Sequence, residues 1–102
     1  MKKYEVELSE EAMQDVVEIW NYIANDLKNV YSADKIVNGI LQRCEDLRRF
    51  PKGYAIRMYS GEQAIRFVHF GKYTIAYCVN DENLTVEIFA IKYSRIDLRK
   101  LV

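Results

Sequence analysis

The sequence contains few of the residues on which metal sites and disulfide scaffolds depend. Its only histidine is His69, and its two cysteines, Cys44 and Cys78, lie far apart rather than in a CxxC pair. A structural zinc site needs about four ligands at close spacing, so we expect no metal and no other cofactor. One cysteine lies in an apparent helix and the other in an apparent strand, so both are expected to be reduced core thiols.

The sequence also lacks a net charge and any long hydrophobic run. Lys and Arg number 15, and so do Asp and Glu, which argues against broad phosphate-driven binding to nucleic acid but leaves room for a local basic patch. No segment approaches the roughly 20 apolar residues of a membrane-spanning helix. Glutamates stand where a signal peptide has its apolar region, at Glu5, Glu7, Glu10 and Glu11. We therefore expect a soluble, cytoplasmic protein with no membrane contact.

The sequence does contain enough apolar material for one core. Hydrophobic residues make up 50% of the 102 positions and aromatic residues 13%, which indicates an ordered globular fold. A chain of this length is large enough for one core but too short for two independent ones. We expect a single domain over residues 1–102.

The first half of the chain predicts one strand and two helices. Residues 3–8 alternate apolar and polar side chains as a half-buried edge strand does, and Ser9 follows as a helix N-cap. Apolar residues then recur every three or four positions as far as Leu27, which predicts a helix of about five turns with one buried stripe. Ser32 is the expected cap of a second helix, which ends before Phe50-Pro51 because proline disfavours helix in the residue before it. Two such helices form an antiparallel hairpin.

The second half predicts strands rich in Ile, Val, Phe, Tyr and Thr. They are Ala55 to Tyr59, Ala64 to Phe70, Tyr73 to Val79 and Leu84 to Ile91. Loops of about two to five residues favour antiparallel hairpins, since parallel neighbours need a long crossover. Neither face of the Tyr73 strand is wholly polar, which indicates a central position in the sheet. We predict a two-layer α+β domain of order βααββββ, with the N-terminal strand and a helical hairpin packed on a mostly antiparallel sheet.

Chemically active side chains gather near the ends of these strands. Alternation places His69 and Arg66 on opposite faces of their strand. Residues 92–95, Lys-Tyr-Ser-Arg, put two cations and a phenol at the end of the last strand, as either a site or a solvated rim. A second basic group contacts nucleic acid or complements the dipole at the end of the second helix. That group comprises Arg48, Arg49, Lys52 and Arg57.

Four segments, in this order, carry a family resemblance. They are residues 6–22 (VELSEEAMQDVVEIWNY), 47–53 (LRRFPKG), 73–79 (YTIAYCV) and 91–101 (IKYSRIDLRKL). They resemble, in turn, the opening strand and helix, the helix-ending Phe-Pro segment, the Y-x-I-x-Y strand and the closing I-x-x-x-R-x-D of the RelE/ParE superfamily. These proteins are toxins of bacterial type II toxin-antitoxin modules. The resemblance covers nearly the whole chain and implies a helical hairpin on a mostly antiparallel sheet, with the first strand beside the last.

The resemblance implies one of two activities. RelE-like members cut mRNA in the ribosomal A site by promoting attack of a 2'-OH on the adjacent phosphate, whereas ParE-like members poison DNA gyrase. RNA cleavage needs a group that takes the 2'-OH proton, cations for the charged phosphorane and an acid for the leaving oxygen. If the chain is a ribonuclease, the expected catalytic residues are Arg66, His69 and Arg95. The residues expected to contact nucleic acid or another target are Lys72, Lys92, Tyr93 and Arg99.

Each candidate also has a structural interpretation. A single histidine at a strand end is often a hydrogen-bonded surface residue, and Arg95 with Asp97 resembles a local salt bridge. Arg66 fits a cross-strand ion pair as well as a phosphate contact. The RelE-like catalytic tyrosine follows its arginine, whereas Tyr93 precedes Arg95. These departures, the Arg-x-Asp ending and the low basicity favour the ParE-like activity, a toxin that inhibits growth by blocking gyrase.

The resemblance also implies partners. A cognate antitoxin is expected to lay an extended or helical segment over exposed apolar surface of this chain. Operator DNA is expected to be contacted only through that antitoxin. The cellular target is DNA gyrase or, in the alternative, the ribosome with its mRNA. A third alternative is a non-toxic member that binds antitoxin or takes part in autoregulation.

Overall fold

A computed structural model describes residues 3–95, which form two helices on a five-stranded sheet. The predicted order βααββββ is confirmed. The elements are β1 (Glu5–Leu8), α1 (Glu10–Asn21), α2 (Val30–Asp46), β2 (Ile56–Ser60), β3 (Gln63–Phe70), β4 (Tyr73–Asn80) and β5 (Thr85–Tyr93).

The sheet has the strand order β1-β5-β4-β3-β2. β1 runs parallel to β5, and the other three pairings are antiparallel hairpins. The central position of β4, the edge position of β1 and the pairing of the first strand with the last are therefore as expected. Only four residues of β1 pair with β5, from Glu5 opposite Thr85 to Leu8 opposite Ile88. The rest of β5 is left without a neighbouring strand on that side.

One helix cap was predicted correctly and the other was not. Ser9 caps α1, because its Oγ accepts a hydrogen bond from the Ala12 amide at 3.0 Å. The predicted cap at Ser32 is wrong, since Asn29 Oδ1 accepts a hydrogen bond from the Ser32 amide at 3.0 Å and α2 already begins at Val30. Lys28 takes a left-handed conformation, with φ of 52°, and so turns the chain into the helix three residues earlier than expected.

The join between the helices differs from the predicted five-turn helix. α1 ends at Asn21, and residues 22–26 form a π-helical segment in which the Leu27 amide donates to the Tyr22 carbonyl at 3.0 Å. A π-helical turn holds an extra residue, so later side chains no longer follow the buried stripe. Leu27 is therefore 55% exposed, and its predicted place in that stripe is wrong.

The main core lies between the helices and one face of the sheet. Ile75 and Tyr77 of β4 and Ile40 of α2 are fully buried there. A second, smaller cluster covers the other face, where Phe67 and Phe89 pack over buried alanines. The sheet thus has one face under the helices and one open face with its own apolar cover.

Both cysteines are buried free thiols, as expected, and belong to different clusters. Burial raises the pKa of Cys44 to about 12 and that of Cys78 to about 11. A thiol with so high a pKa stays protonated at neutral pH and is a poor nucleophile. The cysteines are accordingly part of the packing.

A glycine lets α2 approach the end of β3. A Cβ atom on Gly39 would lie 2.0 Å from Cζ of Phe70, so the phenyl ring occupies the space that any other residue would fill. Arg43, one turn later, lies with its guanidinium 5.6 Å from the centre of the same ring and donates to the His69 carbonyl at 3.0 Å. These contacts fix the end of β3 against the helix layer.

We therefore expect Gly39→Ala to destabilise the fold although alanine is the better helix former. Overpacking costs about 1–3 kcal/mol, whereas the gain in helix propensity is about 1 kcal/mol, so we expect a net loss of up to about 2 kcal/mol. Asn38→Ala, at the exposed neighbouring position, should be slightly stabilising. Urea denaturation of the two variants checks this, and a stabilised Gly39→Ala would contradict the contact with Phe70.

Candidate functional site

The sheet separates two of the three predicted catalytic residues. Arg66 lies opposite Tyr77, whose ring faces the helices, whereas His69 lies opposite Thr74 and projects from the open face. The Arg66 guanidinium donates to the carbonyl oxygens of Tyr54 and Lys52. It is therefore used in holding the loop after α2.

His69 begins a short hydrogen-bonded chain on the open face of the sheet. Its Nδ1 lies 2.9 Å from Thr74 Oγ1, which lies 2.9 Å from Ser94 Oγ. Thr74 is buried, while His69 and Ser94 are exposed. This series of hydrogen bonds orients the imidazole ring. The Nε2 atom of His69 makes no hydrogen bond within the described part of the polypeptide. A histidine held in this way has the geometry of a proton acceptor or of a ligand contact.

The third predicted catalytic residue and its neighbours lie at the end of β5. Arg95 follows the strand and is exposed, while Tyr93 packs its ring edge-on against Tyr73 with centroids 5.8 Å apart. Arg99 and Asp97 lie outside the described residues, so the contact predicted for Arg99 and the Arg95–Asp97 salt bridge stay predictions. The structure thus places Arg95 in the exposed turn that follows β5.

A buried acid holds this end of β5, and the sequence analysis missed it. Asp15 of α1 is only 4% exposed; its Oδ2 accepts from the Ile91 amide at 2.9 Å, and its Oδ1 lies 2.7 Å from Nζ of Lys92. β1 ends before this point, so the Asp15 carboxylate takes the place of the missing strand partner. A signal was present, because Asp15 interrupts the apolar stripe between Ala12 and Ile19.

The ion pair with Asp15 affects both the pKa of Lys92 and the availability of its charge. The hydrogen bond that Lys92 donates to the Asp15 carboxylate raises the pKa of the ammonium above its usual value, so the group stays charged at neutral pH. Its charge is nevertheless compensated inside the protein. Lys72, in the turn between β3 and β4, is exposed and makes no side-chain hydrogen bond or ion pair within residues 3–95.

A groove of about 970 Å³ opens where the helix layer and the sheet layer end. Lys72, Lys92 and Tyr93 all line it, so three of the four predicted contact residues share one site. Its walls are mainly apolar and include Ile19, Ile23, Ile36, Phe70 and Tyr73. The exposed Tyr22 also lines it, as does Leu27, which the π-helical segment turns out of the core.

The residues that the structure describes contain neither a metal-binding cluster nor a membrane-spanning helix. Between Lys3 and Arg95 no group of three or more His, Cys, Asp or Glu side chains is placed to hold a metal ion. Neither helix of that part of the chain is long and apolar enough to cross a membrane.

The sequence of this chain matches one protein family over most of its length. The family described as the ParE toxin of the type II toxin-antitoxin system, parDE, matches residues 6–98. The match spans most of the chain, so this protein belongs to that family and is a toxin of the type II toxin-antitoxin class. No curated protein matches the chain significantly in sequence.

Solved structures share the fold at low sequence identity. A chain of the chromosomal ParDE system from P. aeruginosa has a TM-score of 0.72 and 14% identity, with 89% of this chain and 96% of that one covered. A chain of the RelBE2 toxin-antitoxin complex from Mycobacterium tuberculosis has a TM-score of 0.65 and 18% identity, with coverages of 89% and 98%. The RelE–RelB complex of Pyrococcus horikoshii gives 0.65 and 13%, with coverages of 90% and 96%. The family match confirms the superfamily resemblance inferred from the sequence, and these structures confirm the expected fold.

Removal of the buried acid should be costly. Asp15→Ala leaves the Lys92 charge without its partner and the Ile91 amide without an acceptor, so we expect the free energy of unfolding to fall by about 3–5 kcal/mol. Asp15→Asn keeps an acceptor for the amide and should lose less. Denaturant titrations measure both values. If Asp15→Ala were no worse than Glu18→Ala, an exposed acid on the same helix, Asp15 would not anchor β5.

Proposed function

We propose that this toxin arrests bacterial growth in the cytoplasm by blocking DNA gyrase and that a cognate antitoxin neutralises it. One observation carries the choice of target: Arg66 and His69 project from opposite faces of β3. The family match supports the same choice, since it is to the ParE branch.

The divergence of these side chains argues against a ribonuclease centre. Cleavage at a phosphate requires the base and the stabilising cation to reach one substrate group within hydrogen-bond distance. Arg66 is directed toward the helix layer and donates to two loop carbonyls, whereas His69 faces the open side of the sheet. A toxin that acts by binding its target needs no such convergence.

A ribosome-dependent endoribonuclease is the second candidate, and the His69 chain favours it. Thr74 orients the His69 ring and leaves Nε2 on an exposed surface, as a general base requires. Arg95, exposed beyond β5, would then have to supply the positive charge. This alternative uses His69 and Arg95 without Arg66.

The antitoxin is proposed to occupy the groove between the layers. The compared ParDE and RelBE structures come from toxin-antitoxin systems, which supports a protein partner of this kind. Apolar walls with Tyr22 and Leu27 exposed at the mouth suit an amphipathic segment, and Lys72 suits a carboxylate on it. Operator DNA would be contacted through the antitoxin, in keeping with a net charge of zero.

Inducible expression in bacteria tests the target. We expect growth arrest with altered plasmid supercoiling and DNA damage, while mRNA mapped by primer extension stays intact. His69→Ala and Arg95→Ala should arrest growth as the wild type does, because gyrase blocking does not use a general base. Ribosomal A-site cuts that disappear in His69→Ala would establish the ribonuclease instead. A folded chain that causes no arrest would leave the non-toxic alternative.

The antitoxin groove has its own test. Leu27→Glu puts a charge into the apolar mouth, and we expect the Kd for the co-encoded antitoxin to rise at least about tenfold. Met13→Glu is the matched control, since Met13 is similarly exposed on α1 and does not line the groove. Equal antitoxin affinity in the two variants, measured by calorimetry, would place the antitoxin elsewhere.

A further inference from the structure

Four of the seven carbonyls in residues 48–54, the loop between α2 and β2, accept hydrogen bonds from the rest of the domain. The Tyr4 amide donates to the Arg48 carbonyl at 3.0 Å, and the Tyr77 hydroxyl donates to the Pro51 carbonyl at 2.6 Å. Arg66 donates to the carbonyls of Lys52 and Tyr54. Burial raises the pKa of Tyr77 to about 12, so its phenol remains a neutral donor throughout the physiological range. We name this segment, residues 48–54, the Phe50 loop.

A salt bridge with its supporting hydrogen bond, and a turn within the segment, also hold the Phe50 loop in place. The Lys52 ammonium lies 2.7 Å from Asp81 Oδ2, and Tyr4 Oη donates to the other oxygen of Asp81 at 2.8 Å. Gly53 donates its amide to the Phe50 carbonyl at 3.1 Å, and Pro51 is buried. The loop is therefore a rigid part of the domain.

This rigid loop holds an aromatic ring in solvent. Phe50 is 66% exposed, whereas the next residue, Pro51, is buried. A proline disfavours helix in the residue before it whatever that residue is, so helix termination does not require an aromatic ring at position 50. Tyr54 and Ile56, which follow within six residues, are also partly exposed. An exposed aromatic side chain on a fixed backbone loses little entropy on binding, and such residues dominate binding energy at protein interfaces.

The charges of the loop favour a protein over a nucleic acid as its partner. Arg48 pairs with Glu5 and Glu45, and Lys52 with Asp81, so two of the four cations in this basic group are compensated internally. A third, Arg57, lies over the ring of Phe67. Arg49, next to Phe50, makes no side-chain bond within residues 3–95, so two of the four cations lack an internal counter-charge. Two such cations are too few for affinity based on phosphate neutralisation, but Arg49 suits a carboxylate at the rim of an apolar pocket.

We infer that the Phe50 loop docks the toxin on its cellular target, a protein with an apolar pocket bordered by carboxylates that receives Phe50 and Arg49. The inference rests on the proposed function, in which a protein is the target. The surface is separate from the antitoxin groove, because α2 begins at the groove and ends at the loop. Its 17 residues span about 25 Å at 1.5 Å per residue.

The test compares Phe50→Ala with Tyr31→Ala, which removes a ring that is 75% exposed at the far end of α2. Phe50→Ala should need at least about tenfold more inducer-driven protein for the same growth arrest, whereas Tyr31→Ala should match the wild type. Both melting temperatures should stay within about 4 °C of the wild type, as surface truncations cost about 0.5 kcal/mol. Antitoxin affinity should be unchanged in Phe50→Ala.

A charge variant tests the second contact. Arg49→Glu should weaken growth arrest more than Arg49→Lys, since only the reversal repels a carboxylate rim. Equal arrest by the wild type and by folded Phe50→Ala overturns the inference and leaves the proposed function intact. A parallel loss of antitoxin affinity, or a wild-type dimer that Phe50→Ala converts to monomer, would assign the ring to those partners instead and also overturns it. Absence of arrest with the wild type refutes the proposed function itself.

Discussion

The packing of the helix layer against the end of the sheet depends on the carboxylate of Asp15. β1 is too short to cover the whole edge of β5, so the amide of Ile91 has no strand partner and would be buried without a hydrogen bond. Asp15 supplies the acceptor from α1 and draws the Lys92 ammonium to its second oxygen. A buried carboxylate is tolerated only with such partners. The two hydrogen bonds of Asp15 therefore tie the helix layer to the end of the sheet where the groove opens.

The groove proposed for the antitoxin depends on this tie and on the π-helical segment, whereas the Phe50 loop proposed for the target is held separately. The tie keeps the end of β5, with Tyr93, beside α1, while the extra residue in the π-helical turn exposes Leu27 at the mouth of the same groove. At the other end of α2 a loop fixed by Arg66 and Tyr77 exposes Phe50. The domain thus carries apolar surface at both ends of one helix, as a protein with more than one protein partner requires.

Much of the fold could be predicted from the sequence because its signals are local. Strand alternation, the Ser9 cap and the short turns each depend on neighbouring residues, and the structure confirms them. The N-cap of α2 was missed because Asn29 and Ser32 are both good capping residues, and the left-handed Lys28 decides between them. The π-helical segment has no sequence pattern of its own, so Leu27 was assigned to the core.

The candidate site was predicted less completely because it is made by tertiary contacts. Alternation correctly separated Arg66 from His69, but it did not reveal that Arg66 holds a loop or that Thr74 orients the histidine. Asp15 lies 76 residues from Ile91 in sequence, so no spacing rule pairs them. Phe50 is likewise exposed because Tyr4, Arg66 and Tyr77, which are distant from it in sequence, donate hydrogen bonds to the carbonyls of its loop.

Reconstitution with purified components distinguishes the two cellular targets. The chain would be added in parallel to DNA gyrase with plasmid DNA and to ribosomes programmed with a defined mRNA. If gyrase is the target, we expect inhibited supercoiling and cleaved DNA in the first reaction and intact mRNA in the second. Codon-specific cuts in the mRNA with unaffected gyrase would contradict the proposed target and favour the ribonuclease alternative.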